Sequence, residues 1–275
     1  MVEKWFGDNW LDYVKGIDEK AVAETRNSLL RYLPEEEWKG KHFIDIGCGS
    51  GMFSLGALSL GVASVTSIDI DEKSIEATKL TKTRFGTKFE KNWEIIHGSI
   101  LDDKLTKKLK ETGDIVYAWG SLHHTGNMKK AINNAATMIK PGGHFILAIY
   151  NHAATSEEWL KIKEKYSKLP NIAKPLIELP YATAATLGYM VKRKTLDIRK
   201  DRGMDVFHDA IDWMRGYPYE FAGAEEMTFL MERGGFKLVK TPTLLPHEKE
   251  QTKNIFKILR AKNAGCNEFV FKRIG

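Results

Sequence analysis

Apolar and polar positions follow two rhythms along this chain, and the points where one gives way to the other outline its organisation. Between residue 3 and about residue 38, Val14, Ile17, Val22, Leu29, Leu30 and Leu33 recur at near-helical spacing, and Pro34 closes the run, which predicts a helical N-terminal segment. Short apolar runs then predict strands at 42–46, 64–69, 93–97, 114–119 and 144–150. Helical patterns near 51–60, 72–84, 102–110 and 128–139 separate them, and Pro141-Gly142-Gly143 marks a turn ahead of the fifth strand. Such alternation predicts an α/β fold, a parallel sheet with helices on both faces.

The rhythm breaks after Tyr150. Residues 151 to about 222 carry helical patterns and breakers (Pro170, Pro175, Pro180, Gly188, Gly203, Gly216, Pro218) but no strand pattern. A helix from about Ala224 to Arg233 follows, stopped by Gly234-Gly235, and strands at 236–241 and 267–273 close the chain around a basic helical stretch at 247–262. An insertion after the fifth strand can roof the crevice at the carboxyl ends of the strands, where open α/β sheets bind ligands.

Composition narrows the setting. Seven Trp and thirteen Phe supply large apolar area for a core or a pocket wall. Two cysteines, Cys48 and Cys266, give neither a disulfide framework nor zinc spacing, so a reducing cytoplasm is the expected home. Met1-Val2-Glu3-Lys4-Trp5 opens without an apolar leader pattern. The most apolar segment, Tyr181 to Val191, is far shorter than the about 20 residues that cross a bilayer, so no transmembrane segment is expected. It is expected to bury in the insertion; the alternative, with Lys192-Arg193-Lys194 behind it, is docking on a lipid-like acceptor or a membrane surface. The formal charge of +6 is scattered, as solubility requires. Lys249, Lys253, Lys257, Arg260 and Lys262 are expected on the wet face of a helix that turns Ile255, Phe256 and Leu259 inward, with contact to RNA as the alternative.

Chemistry concentrates where the first strand ends. Ile44-Asp45-Ile46-Gly47-Cys48-Gly49-Ser50-Gly51 runs an apolar strand into alternating glycines, and Ser67-Ile68-Asp69-Ile70-Asp71 ends the second strand on acid. Glycines admit close backbone approach, and an acid at a strand end accepts from ribose hydroxyls, so one nucleoside-bearing cofactor is expected across adjacent strands. Met52 makes the loop GxGxG rather than the GxGxxG of dinucleotide enzymes. With Gly98-Ser99-Ile100-Leu101-Asp102 after the third strand, the set resembles class I S-adenosylmethionine (SAM)-dependent methyltransferases over roughly 40–150 and 224–275.

That resemblance implies a Rossmann-like, mostly parallel seven-stranded sheet with N-terminal helices and a helical lid after strand 5. It divides the chain into an N-terminal helical segment (1–40), a SAM-binding core (41–150), a lid that takes the acceptor (151–222) and a C-terminal completion of the sheet (223–275). It places Gly47, Gly49 and Gly51 against the methionine and ribose portions. Asp45 would orient the loop or accept from the amino group, Asp69 would hold the ribose hydroxyls, and Ile70 would pack on adenine. Ser99, where many relatives carry Asp, and Ile100 would flank the adenine edge, with Trp119 also on the cofactor side.

The fourth strand ends in Trp119-Gly120-Ser121-Leu122-His123-His124-Thr125-Gly126, without the Pro-Pro-aromatic motif of enzymes that methylate exocyclic amines of bases. The run looks like the small-molecule branch, similar to quinone-biosynthesis methyltransferases. His123 or His124 is a candidate general base; the alternative is that each caps a helix or fills the wall. In the lid, His208 and Asp212 lie four apart on one helical face, with Asp209, Trp213, Tyr217, Tyr219 and Glu220 close by. His208 is the third candidate base. The other lid residues, with Tyr150 at the end of the fifth strand, are expected to shape an acceptor pocket. Arg202-Gly203-Met204 ahead of this cluster and Gly265-Cys266-Asn267-Glu268-Phe269-Val270-Phe271 at the end resemble a widespread bacterial subgroup of the same enzymes. No His-Glu-x-x-His spacing is present, and no metal is expected.

The reading is therefore methyl transfer from SAM to a small-molecule acceptor, at oxygen. Nucleic acid is not the expected partner, and the oligomeric state is left open. An RNA or protein methyltransferase is the nearest alternative, and a non-catalytic SAM-binding protein the other.

Overall fold

The computed structural model describes residues 6–198, 205–248, 250–252 and 263–275. Seven strands form one sheet: β1 (His42–Ile46), β2 (Ser64–Asp69), β3 (Trp93–His97), β4 (Gly113–Trp119), β5 (Ile139–Tyr150), β6 (Phe236–Thr243) and β7 (Cys266–Arg273). Their order is β3-β2-β1-β4-β5-β7-β6. All pairs are parallel except β5–β7 and β6–β7, so this is the Rossmann-like sheet expected from the sequence. The order reverses between β1 and β4, and the crevice opens at such a switch point.

Successive strand residues feed two different cores. Phe43, Val65, Ile115, Tyr117, Ile146 and Val270 pack on one face with Leu29 of α2 (Glu19–Leu30), Leu55 of α3 (Met52–Ser59) and Ala77 of α4 (Glu72–Phe85). Their neighbours Ile44, Val116, Phe145, Leu147 and Phe271 pack on the other. There they meet Leu105 of α5 (Asp103–Lys108), Ala131 of α6 (Met128–Thr137) and Met227 of α10 (Ala224–Arg233). A strand apolar on both sides is what a doubly covered parallel sheet requires.

The N-terminal segment holds two helices, α1 (Phe6–Lys15) and α2, because Asp18 turns extended and caps α2, accepting from Ala21 N–H at 2.9 Å. One detail differs from the sequence reading. Pro141-Gly142-Gly143 lies inside β5 rather than ahead of it, since Ile139 already pairs with Gly113 across an irregular register. The insertion after β5 carries α7 (Ser156–Ser167), α8 (Lys174–Arg193) and α9 (Val206–Arg215). Glu178 of α8 binds Arg215 of α9 through Nε (2.7 Å) and Nη2 (2.8 Å), and Tyr166 of α7 donates to the same carboxylate. Against the cost of burial, those bonds hold the Glu178 carboxyl below its ordinary range. No helix among the described residues is long and apolar enough to cross a membrane. The basic helix expected at 247–262 and the Arg202-Gly203-Met204 motif lie largely outside the described residues.

Candidate active site

The turn after β1 is fixed by its neighbours. Gly47 and Cys48 donate their N–H groups to Ile68 O on β2 at 2.8 and 3.1 Å. Thr78 and Thr81 of α4 bind the carbonyls of Gly49 and Ser50 at 3.0 and 2.6 Å. The three glycines have φ of +75°, +54° and +74°, a region side chains disfavour, and each allows a different close approach. A Cβ on Gly47 would lie 2.3 Å from Ser121 Cβ, one on Gly49 2.9 Å from the Trp10 ring, and one on Gly51 2.8 Å from Thr78. Only Gly47 of the three faces the crevice; Gly49 packs under α1 and Gly51 under α4.

Asp45 is held by a directional chain. Trp93 Nε1 donates to Ser67 Oγ at 2.7 Å, and Ser54 Oγ donates to Asp45 Oδ2 at 2.7 Å. The 2.6 Å contact between Ser54 and Ser67 must then carry the Ser67 proton, since each hydroxyl has one to give. Asp69 accepts from Gly49 N–H (3.0 Å) and Asp71 N–H (2.9 Å). Burial nevertheless pushes its pKa up to about 6, with those bonds opposing.

These residues open into a cavity of about 1140 Å³. Asp45, Gly47, Asp69, Ile70, Ser99, Ile100 and Trp119 line one end. Ile70 stands 44 % exposed there beside the acid, an apolar platform suited to a flat heterocycle. Tyr150, Asp209, Asp212 and Trp213 line the part under the insertion, with Tyr13 of α1 and Tyr181 and Tyr189 of α8, while Trp10 of α1 lines it beside Gly49. A glycine turn of positive φ, two held carboxylates and an exposed isoleucine fit a nucleoside carrying an amino acid.

The candidate bases separate. His124 reaches the wall; its Nδ1–H donates to Pro218 O at 2.7 Å, which leaves Nε2 as the basic nitrogen, and burial pushes its pKa down to about 3. His123 is fully buried behind the wall, where its ring stacks on Tyr150 at 3.9 Å, its Nδ1 accepts from Tyr150 N–H at 3.3 Å and burial drives its pKa well down. His208 is not on the wall. Its Nδ1 sits 2.6 Å from Asp205 Oδ2, and that bond raises its pKa.

Three residues assigned to the acceptor pocket also lie off the wall. Glu220 receives Met128 N–H on both oxygens (3.1 and 3.0 Å), anchoring the start of α6. Tyr219 is buried behind Tyr150 and Trp213, with ring centroids 5.1 and 5.9 Å away. Tyr217 falls beyond the end of α9. Sequence reasoning missed α1 as a wall and missed Lys163, which is fully buried and donates to Trp213 O. Its Nζ lies 4.3 Å over the Trp213 ring, and burial pushes its pKa down to about 7, with Asp212 opposing.

A family profile described as methyltransferase domain matches residues 37–211, and the chain belongs to that family. The chain's seven-stranded sheet with helices on both faces is the Rossmann-like fold of its methyltransferase neighbours. Its fold is similar to that of the magnesium protoporphyrin IX methyltransferase of Synechocystis PCC 6803 with bound SAH (TM-score 0.55, 14 % identity, 98 % of this chain and 95 % of that one). It is also similar to that of an S-adenosylmethionine-dependent methyltransferase from Mesorhizobium loti (TM-score 0.52, 15 %, 94 % and 100 %). In sequence it is 31 % identical over 127 residues to the ubiquinone biosynthesis O-methyltransferase of Dechloromonas aromatica, covering 46 % of this chain and 52 % of that protein. It is 30 % identical over 152 residues to the ribosomal protein L11 methyltransferase of Shewanella woodyi, covering 53 % and 45 %. The chain thus spans about half the length of the curated relatives it matches.

Proposed function

We propose that this chain transfers the methyl group of SAM to an oxygen of a small molecule, acting in the cytoplasm, with 151–222 as the acceptor lid on the 41–150 core. The observation that carries the reading is the single cavity, glycine loop and Asp69 at one end, lid aromatics and carboxylates at the other. Its volume of about 1140 Å³ exceeds the usual range for small-molecule sites, room for a donor and an acceptor together. The likeness to ubiquinone biosynthesis O-methyltransferases supports oxygen as the target. Two cysteines that form no disulfide support the compartment.

In this reading Asp69 takes the ribose hydroxyls, Ile70 and Ile100 sandwich the base edge with Ser99 beside them, and Asp45, Gly47 and Trp119 hold the amino-acid end. Bound there, SAM supplies a methyl group already activated on a sulfonium. The protein's own share is alignment and dryness. Tyr150 and Trp213, with rings 5.2 Å apart and edge-on, set the plane of the acceptor, and α1 and α8 keep water out.

The test is labelled SAM incubated with the protein and a size-fractionated cell extract. Label in a small compound as an alkali-stable methyl ether supports the reading. Label in protein, as the L11 methyltransferase likeness would favour, or in RNA would replace it.

A further inference from the structure

A hydroxyl that takes a methyl group gives up a proton, and the histidines at the rim are poorly set to receive it. His123 is sealed behind Tyr150, His208 is paired with Asp205 away from the wall, and His124 uses Nδ1 on Pro218 in a site that disfavours its charged form. We infer that Asp212 is the proton acceptor of the reaction, and that Asn9 of α1 is its positioning residue. The inference rests on methylation at oxygen as read above.

Asp212 lies on α9 in the same wall as Tyr150 and Trp213 and shares the cavity with the glycine loop. Asn9 is 6 % exposed, and its amide donates both to Asp212 Oδ1 (3.0 Å) and to His208 O (3.2 Å). Two acceptors around one amide fix which end is nitrogen, and with it the direction of the carboxylate. Asn9 occupies one of the roughly four lone-pair sites of that carboxylate, leaving it capacity to accept a hydroxyl proton.

The charges around it partly cancel. Asp209 lies one turn back on α9 and adds like charge, while Arg215, one turn on, is engaged by Glu178 of α8. Lys163 of α7 faces it from behind Trp213, His208 is shared between Asp205 and Asp12 of α1, and the Tyr150 and Tyr181 hydroxyls complete the titratable set. Burial, with Asp209 adding, raises its pKa to about 7, near the working range of a general base. The step is a proton transfer alone. The acceptor's O–H bond breaks, its electron pair stays on oxygen, and the proton bonds to an Asp212 oxygen. Water collects it when the product leaves.

The experiment uses the full chain, labelled SAM and the extract fraction that wild type labels, with Asp212→Asn and Asn9→Ala. Asp212→Asn should lower kcat/KM about 100-fold, the low end of what a positioned base contributes. It should abolish the bend near pH 7, replacing the wild-type plateau above it with a rate that keeps climbing about tenfold per pH unit as the acceptor's own hydroxyl ionises. SAM affinity by calorimetry should stay within about twofold, which also shows that the variant folds. Asn9→Ala should keep the acid limb but shift its midpoint. Independently of turnover, infrared difference spectra between pH 5 and 9 should show a carboxylic-acid band titrating near pH 7 in wild type and in Asp69→Asn, which removes the Asp69 band near pH 6, and that band should be absent in Asp212→Asn. If wild type labels a small hydroxyl compound and Asp212→Asn matches its rate and pH profile, or if the infrared band persists in the variant, the inference falls alone. If wild type labels only protein or RNA, the reading beneath falls and takes the inference with it.

Discussion

Gly49 donates its backbone N–H to Asp69 Oδ2 at 3.0 Å, so the turn after β1 is tied to the acid that ends β2. The carboxylate is aimed before any cofactor arrives, since Asp71 N–H takes its other oxygen. Preorganisation of this kind removes an ordering cost from binding.

The same burial makes SAM affinity depend on pH. Asp69 holds a proton up to about pH 6 in the folded chain, against an ordinary value of 3.8. A protonated acid loses accepting capacity, so the calorimetric Kd for SAM should rise as pH falls through 6, and Asp69→Asn should bind weakly with little pH dependence. The sign for stability is opposite. The folded chain binds this proton more tightly than the unfolded chain, so the group's contribution to stability falls as pH rises from about 4 to 6.

Gly47 and Gly142 make a controlled pair. Both have positive φ, +75° and +78°, but a Cβ on Gly47 would strike Ser121 at 2.3 Å whereas nothing lies within 4 Å of one on Gly142. Gly142→Ala should cost about 1–2 kcal/mol of backbone strain in chemical denaturation and leave SAM binding alone. Gly47→Ala should cost more, and should weaken SAM binding at least tenfold because the Ser121 side of the cavity must move.

Glu178 braces the insertion after β5. Removing one member of a buried charged pair costs about 3–5 kcal/mol, and Glu178→Ala would strand Arg215 and the Tyr166 hydroxyl together. Limited proteolysis should then cut within 151–222 faster than in wild type. Acceptor KM should rise while SAM affinity stays the same, because these bonds join α7, α8 and α9, outside the glycine loop and strand ends.

Lys163 should leave a pH signature in stability. Its folded pKa is depressed from the ordinary 10.5 to about 7 by burial. Between those values the unfolded chain holds the extra proton, so wild-type stability gains from this group as pH rises from 7 towards 10. In Lys163→Met that gain is absent. The Tm difference between the two proteins should change steadily across this window in favour of wild type, and a constant offset would show that Lys163 is charged throughout.

The sheet was legible because both faces of each strand are apolar, which leaves a short run of Val, Ile and Phe that turns sharply at Gly or Asp. The glycine loop, Asp69 and Ser99 were legible because their spacing follows strand ends. Less visible was the division of labour among the glycines: Gly49 and Gly51 answer to Trp10 and Thr78, contacts made by residues at least 27 positions away. The lid cluster was found as a group but not sorted. Tyr219 and Glu220 look as available in the sequence as Trp213, and only the fold shows one buried behind Tyr150 and the other fastening α6. Asn9 carried no signal, since a single Asn in an amphipathic helix reads as surface.

The most direct measurement is calorimetric titration of SAM into wild type, Asp69→Ala and Trp213→Ala. A cofactor lying across the ends of β1 and β2, with the acceptor under the lid, requires one site in wild type. Affinity should be reduced at least tenfold, about 1.4 kcal/mol, in Asp69→Ala and unchanged in Trp213→Ala. Unchanged affinity in Asp69→Ala, or loss confined to Trp213→Ala, would contradict that arrangement.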